Sequence, residues 1–163
     1  MKILFVCSSN VCRSPYCEFV FSKIINSSKI LTQNIEWVRS AAVFNKSKKL
    51  HSKAVVALLA EGFNEAQIAS YRPMYKRKDI NLFEEADIII GMTRFHKFLT
   101  PTKYKSKFTT LSQVALKKYI PIPDPFLASN QKSYDQIMFQ IKDYLKKYAT
   151  CLLESFTDQE KQN

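Results

Sequence analysis

Glycine is almost missing from this sequence, with two residues in 163 against an ordinary share of ~7%. That scarcity argues against repeat and propeller architectures and against glycine-rich nucleotide loops; neither GxGxxG nor GxxxxGK[ST] occurs. No apolar run approaches the ~20 residues that span a bilayer, so no membrane partner is expected. The opening MKILFVCSS has a lysine and about five apolar residues, too few for a signal peptide, and no small-residue cleavage site follows. The chain is therefore expected to be cytoplasmic, and its four cysteines, Cys7, Cys12, Cys17 and Cys151, are read as reduced thiols and not a disulfide framework. No His, Cys and Asp cluster has metal-ligand spacing, so neither metal nor other cofactor is expected.

Acidic residues are also few, 14 against 25 Lys plus Arg, for a formal charge of +11. That balance favours anionic partners such as phosphates or nucleic acid. The lysine clusters, Lys46/Lys48/Lys49 among them, lack the interleaved aromatics of a stacking platform and read as solvated faces, so nucleic acid is not expected. With 46% apolar and 24% charged residues, the composition is that of an ordinary globular chain of one domain.

Lys2 to Val6 reads as a continuously apolar strand of the kind buried on both faces of a parallel sheet. Ser14-Pro15 reads as an N-cap and first-turn proline, with Tyr16, Phe19, Val20, Lys23 and Ile24 following at helical spacing. Further strands are expected at Ile35 to Ala41, Asp87 to Met92 and Lys107 to Leu111. Helices are expected at Ser52 to Glu61, closing at Gly62, and at Thr93 to Thr100. Ile120 to Asn130, with three of the six prolines, should be an irregular loop. Ile137, Ile141, Tyr144, Leu145, Tyr148 and Leu152 mark a long amphipathic closing helix. Residues 1–156 are expected to form the domain and 157–163 a disordered tail. Alternating strands and helices predict an α/β fold, a doubly wound parallel sheet of about four strands with helices on both faces. Ligands of such folds bind beyond the carboxyl ends of the strands.

The loop from Cys7 to Arg13 lies at such an end, and it reads Cys7-Ser8-Ser9-Asn10-Val11-Cys12-Arg13 followed by Ser14. A thiol between a buried strand and a helix start is placed where backbone N–H groups and the helix dipole favour a thiolate. Those N–H groups make a nest for a tetrahedral oxyanion. Arg13 adds a planar fork able to hold two phosphate oxygens at once. The assembly is a phosphate cradle with a nucleophile at its floor.

In these residues the chain resembles the low-molecular-weight protein tyrosine phosphatases, whose signature is a Cys-x5-Arg-Ser loop directly after the first strand, followed by Pro. Ser40-Ala41-Ala42 matches the family's Ser-Ala-Gly/Ala segment, Arg72 stands near a family arginine, and Asp124-Pro125 matches its late Asp-Pro loop. The resemblance implies that Cys7 takes the phosphoryl group as a thiophosphate, that Arg13 clamps the equatorial oxygens, and that Asp124 protonates the leaving phenolate and then activates water. It implies further that Ser8, Ser9, Asn10, Val11, Cys12 and Ser14 bind phosphate, with Asn10 ordering the loop in a left-handed conformation, Ser14 bonding the sulfur and Ser40 holding Asn10. Substrates would be phosphorylated proteins or peptides, with inorganic phosphate or other oxyanions as product and inhibitors. Cys12 would be a redox partner of Cys7.

Some positions depart from the family pattern. Ser9 replaces a glycine, Thr93 stands where many members carry Asp, and Asp-Pro-Tyr-Tyr is here Asp124-Pro125-Phe126-Leu127. Phe44 and Phe126 are the candidates for the pocket wall. Cys17 and Cys151 are read as helix core, and His51 and His96 as surface. Alternatives are an arginine phosphatase on the same scaffold, or a catalytically weak phosphate-binding module. In the arginine branch the residue before the second loop cysteine resembles Thr; Val11 is closer to the Ile of the tyrosine branch, whereas Phe126 pulls the other way. An arsenate reductase would need two cysteines in the middle third, and none lies between Cys17 and Cys151.

Overall fold

After Lys2 every residue of the first strand is apolar, and in the computed structural model, which describes residues 1–162, both of its faces are buried. This strand is β1 (Lys2–Cys7), followed by α1 (Arg13–Asn26), α2 (Lys29–Asn34) and β2 (Trp37–Ala42). Then come α3 (Ser52–Ala60), α4 (Glu65–Ser70), α5 (Ile80–Glu85), β3 (Ile88–Gly91), α6 (Phe95–Leu99), β4 (Phe108–Thr110), α7 (Leu111–Leu116) and α8 (Gln131–Gln162). The four strands form one parallel sheet in the order β2-β1-β3-β4, which is the expected doubly wound fold.

The period of two along β1 divides the core. Ile3, Phe5 and Cys7 face the larger cluster with α1 and α8, where the Phe21 ring meets Phe5 edge-on at 5.7 Å and stacks on Tyr148 at 5.4 Å. Leu4 and Val6 face the smaller cluster with Phe83, Ile89 and Tyr104. Both glycines have a local reason. Gly62 closes α3 at φ +85°, a left-handed conformation that glycine adopts without strain. At Gly91 an added Cβ would lie 2.7 Å from Phe108 Cε2 and 3.2 Å from His96 Cβ, so the end of β3 admits no side chain.

Several local expectations are corrected. Ser14 is not an N-cap: α1 begins at Arg13, Cys12 is its cap without a side-chain bond, and the Ser14 hydroxyl turns inward to Cys7. Helices α2, α4, α5 and α7 were not expected, because six residues are too few to display a 3.6-residue period. Residues 157–162 continue α8 and do not form a separate tail; Phe156 is buried and Thr157 Oγ1 donates to Leu153 O, so the helical pattern outlasts Leu152. Asn163 lies outside the described residues. Among the described residues, no helix is long and apolar enough to cross a membrane.

Candidate active site

The chain leaves β1 for β2 on one side and returns to β3 on the other, so the carboxyl end of β1 is the switch point of the sheet. The loop from Cys7 to Arg13 sits there. Its carbonyls are turned outward: Cys7 O accepts from Val43 N, Ser8 O from Phe44 N and Asn45 N, and Val11 O from His51 N. Among the described residues nothing accepts from the N–H groups of Ser8, Ser9, Asn10, Val11 or Cys12. A row of unpaired donors at a helix start is an anion site.

Asn10 bends the loop at φ 55°, a left-handed turn that asparagine tolerates better than most residues. Its buried amide is fully used. Nδ2 donates to Ser14 Oγ at 2.9 Å and Ser40 Oγ at 2.8 Å, while Oδ1 accepts from the Tyr71 hydroxyl at 2.8 Å and Met74 N at 2.9 Å. Ser40 Oγ also lies 2.6 Å from Glu18 Oε2 and 2.8 Å from the Tyr71 hydroxyl. Counting protons through this network favours a proton on Glu18. If Glu18 is ionised, Ser40 donates to it and Tyr71 donates to Asn10, leaving no proton for the contact between the two hydroxyls. With a proton on Glu18 every contact is a hydrogen bond, running from Glu18 to Ser40 to Tyr71 to Asn10. Burial pushes the Glu18 carboxyl up to about 7; in the ionised form a hydrogen bond donated by Ser40, and the Arg39 guanidinium 3.8 Å away, work the other way. Glu18 borders a hollow of about 760 Å³ behind the loop, walled by Phe19, Phe63 and Tyr71.

At the loop's own mouth lies a pocket of about 350 Å³. Cys7 is buried at its floor, with Sγ 3.0 Å from Ser14 Oγ. Because Asn10 already donates to Ser14, the Ser14 hydroxyl proton is left to point at the sulfur. Arg13, nearly enclosed, anchors Nη1 on Ile122 O at 3.2 Å and extends Nη2 to Asp124 Oδ2 at 2.9 Å. Asp124 is half-exposed and caps the turn Pro125–Leu127 by accepting from Phe126 N at 3.2 Å. Ser8, Ser9, Val11 and Cys12 line the pocket with these groups, and Phe44 and Phe126 stand at its wall together with Phe95. The Ser9 hydroxyl accepts from Asn45 Nδ2 at 3.3 Å.

His96 was expected on the surface and is buried. Its Nδ1 accepts from the N–H groups of Met92 and Thr93, each at 3.2 Å, which leaves the ring proton on Nε2, 3.3 Å from Ser8 Oγ. Burial, and to a lesser degree the Arg13 charge, hold the imidazole down to about 3. A histidine three residues after Thr93, just past the carboxyl end of a strand, is a signal that sequence reading passed over. His51 is half-buried; its Nδ1 accepts from Lys53 N and its ring stacks against Tyr134 at 6.4 Å. Burial pushes the Cys12 thiol up to about 12, and the neighbouring buried Tyr134 hydroxyl, which has no hydrogen-bond partner among the described residues, works the other way. Cys17 is buried in the core and Cys151 half-buried. Arg72 turns to its own backbone, donating to Ala69 O at 2.5 Å and Tyr71 O at 2.9 Å, and takes no part in the pocket. Among the described residues no group of three His, Cys, Asp or Glu side chains could hold a metal ion.

Comparison with known proteins places relatives around this geometry. The model of the low molecular weight phosphotyrosine protein phosphatase family matches residues 2–161. A protein-arginine-phosphatase of Bacillus subtilis is 31% identical over 153 residues, 91% of this chain and 95% of that protein. A low molecular weight protein-tyrosine-phosphatase of Staphylococcus epidermidis, PtpB, is 28% identical over 90% of this chain and 96% of its own. A solved structure of the YwlE arginine phosphatase, a mutant with a phosphorylated active-site serine, superposes with a TM-score of 0.80 at 28% identity, covering 93% of this chain and 95% of that one.

Proposed function

The chain belongs to the low molecular weight phosphotyrosine protein phosphatase family, whose members are hydrolases acting on phosphorylated substrates, and we propose that it hydrolyses phosphotyrosine through a cysteinyl-phosphate intermediate. In this reading the Cys7 thiolate attacks phosphorus, the Sγ–P bond forms and the bond to the tyrosyl oxygen breaks. The loop N–H groups and Arg13 hold the charge that spreads over the equatorial oxygens. A phosphate seated on the loop takes over the guanidinium fork that now holds Asp124. The freed carboxylate takes up a proton from solvent and gives it to the departing phenolate. In the second half Asp124 takes a proton from water, the oxygen bonds to phosphorus, and the Sγ–P bond breaks to release inorganic phosphate. Ser14 steadies the sulfur, and Ser40 holds Asn10 and so the curvature of the loop.

The observation that carries this reading is the meeting of Cys7, Arg13 and Asp124, 117 residues apart in sequence from first to last, in one pocket. The YwlE mutant's phosphorylated active-site serine supports a covalent intermediate on the equivalent side chain. For the substrate, Val11 and the rings of Phe44, Phe95 and Phe126 offer an apolar wall to a flat aryl group and no hydrogen bond to a guanidinium. The likeness to arginine phosphatases favours a second reading, phosphoarginine hydrolysis on the same machinery. Turnover of matched phosphotyrosyl and phosphoarginyl peptides separates the two. Phosphotyrosine should be preferred, and Val11→Thr should shift the ratio of the two kcat/KM values toward phosphoarginine. A wild type that turns over only phosphoarginine would install the second reading instead.

A further inference from the structure

The loops that ring the pocket are rich in cations and poor in acids. Residues 43–51 carry Lys46, Lys48 and Lys49, and residues 93–100 carry Arg94 and Lys97, with no acidic residue in either stretch. Residues 117–132 carry three more lysines, and Asp124 is their single acid. Each stretch is tied to the site: the first through Asn45 on Ser9, the second through His96 beside Ser8, the third through Asp124 on Arg13. The second and third are joined by Arg94, which stacks on Tyr119 at 4.2 Å.

Elsewhere some cations are neutralised, as in Lys2–Glu36, Arg39–Glu18, Lys142–Glu61 and Lys147–Asp143. Among the described residues, no ion pair involves a cation of these three stretches. The same rim exposes apolar side chains, Phe44 by 58%, Phe95 by 61%, Phe126 by 62% and Leu127 by 83%. The same three stretches thus carry both unpaired cations and exposed apolar side chains, around an opening whose floor is built for phosphate. Such a rim complements an extended segment bearing carboxylates and an apolar side chain.

We infer that the rim docks the polypeptide on either side of the phosphorylated residue, and that the preferred substrates are protein segments with Asp or Glu flanking that residue. The inference rests on the phosphatase reading of the pocket. A protein segment fits better than a lipid surface, because three of the four exposed apolar side chains wall a concave pocket over Cys7, which a flat bilayer cannot enter.

The test uses phosphotyrosyl peptides that differ only in flanking charge, with p-nitrophenyl phosphate as a substrate without flanks. Acid-flanked peptides should exceed lysine-flanked ones in kcat/KM by about tenfold at low salt, chiefly through KM, and the gap should close near ~0.5 M salt. Lys46→Glu with Lys48→Glu and Lys49→Glu should abolish most of the gap, and the milder triple change to Gln should narrow it, with p-nitrophenyl phosphate turnover reporting that either variant is folded. Affinity of the same peptides for the Cys7→Ser protein reads docking without chemistry. Flank-dependent binding with no turnover by the wild type would sink the phosphatase reading and keep the docking surface. Flank-independent kcat/KM and binding overturn the inference, as does a gap that survives charge reversal. Binding to phosphatidylglycerol vesicles alongside indifference to peptide charge would assign the rim to a membrane, and overturns it too.

Discussion

Replacing Glu18 by glutamine separates the proton on that carboxyl from its place in the fold. The amide keeps an N–H to donate to Ser40, so the chain of bonds to Tyr71 and Asn10 can persist, but glutamine does not titrate. The folded value near 7 stands against an ordinary 4.5, and each pH unit of that gap is about 1.4 kcal/mol. The proton on Glu18 is therefore linked to about 3 kcal/mol of stability, lightly discounted because the side chain is only 16% exposed. The sign follows from the raised value. The folded state binds the proton more tightly than the unfolded chain, so the contribution is complete below pH ~4.5 and is lost as pH rises to about 7. Urea unfolding of wild type and Glu18→Gln at pH 5, 6, 7 and 8 reads it directly. The stability of the variant relative to wild type should rise by about 2.5 kcal/mol across that series, because the groups common to both proteins cancel in the difference. A difference that stays level from pH 5 to pH 8 would show that Glu18 is ionised in the fold and that the proton count is wrong.

Asp124→Asn should lower turnover most for unsubstituted phenyl and alkyl phosphates and least for nitrophenyl esters, whose leaving groups need little protonation; equal losses across a leaving-group series would make Asp124 structural. His96→Ala strands two backbone N–H groups and the Ser8 hydroxyl, a cost of about 1–3 kcal/mol in unfolding free energy near pH 7. Because the fold holds His96 neutral down to about 3, its contribution is present above ~6.5 and lost as pH falls below that. The penalty of His96→Ala should accordingly shrink between pH 6.5 and pH 4, and a penalty that grows there would refute the neutral assignment. Brief peroxide treatment should oxidise Cys7 and allow Cys12 to close a disulfide that dithiothreitol reverses, with Cys12→Ser recovering less activity. Since burial holds the Cys12 proton until about pH 12, closure should quicken roughly tenfold per pH unit between 7 and 9; peptide mapping that pairs Cys7 with Cys17 would contradict it.

How much of this was legible in the sequence depends on whether the signal was local. β1 and the Cys-x5-Arg loop lie within the first 13 residues, and apolar continuity followed by a strand-to-helix turn is a short-range pattern. The parallel sheet followed from the alternation of elements, and the closing helix from a long 3.6-residue stripe. The six-residue helices did not show, being shorter than the period that would reveal them. Ser14-Pro15 looked like a cap because Ser-Pro is a common helix start; only the turn of the loop toward Cys7 decided that its hydroxyl faces inward.

What the sequence could not contain was the chemistry of contact between distant residues. Glu18, Ser40 and Tyr71 are ordinary polar residues in three separate segments, and their shared proton exists only because the fold sets them 2.6 to 2.8 Å apart. His96 reads as a surface residue until β3 brings Met92 and Thr93 N–H groups onto its ring and the core removes water from it. Hydrogen-bond direction and desolvation depend on interatomic distance, and sequence spacing sets that distance only within a turn or a strand. Residue types and the loop were therefore determined by the sequence itself, whereas the protonation state of each buried group was decided by the tertiary structure.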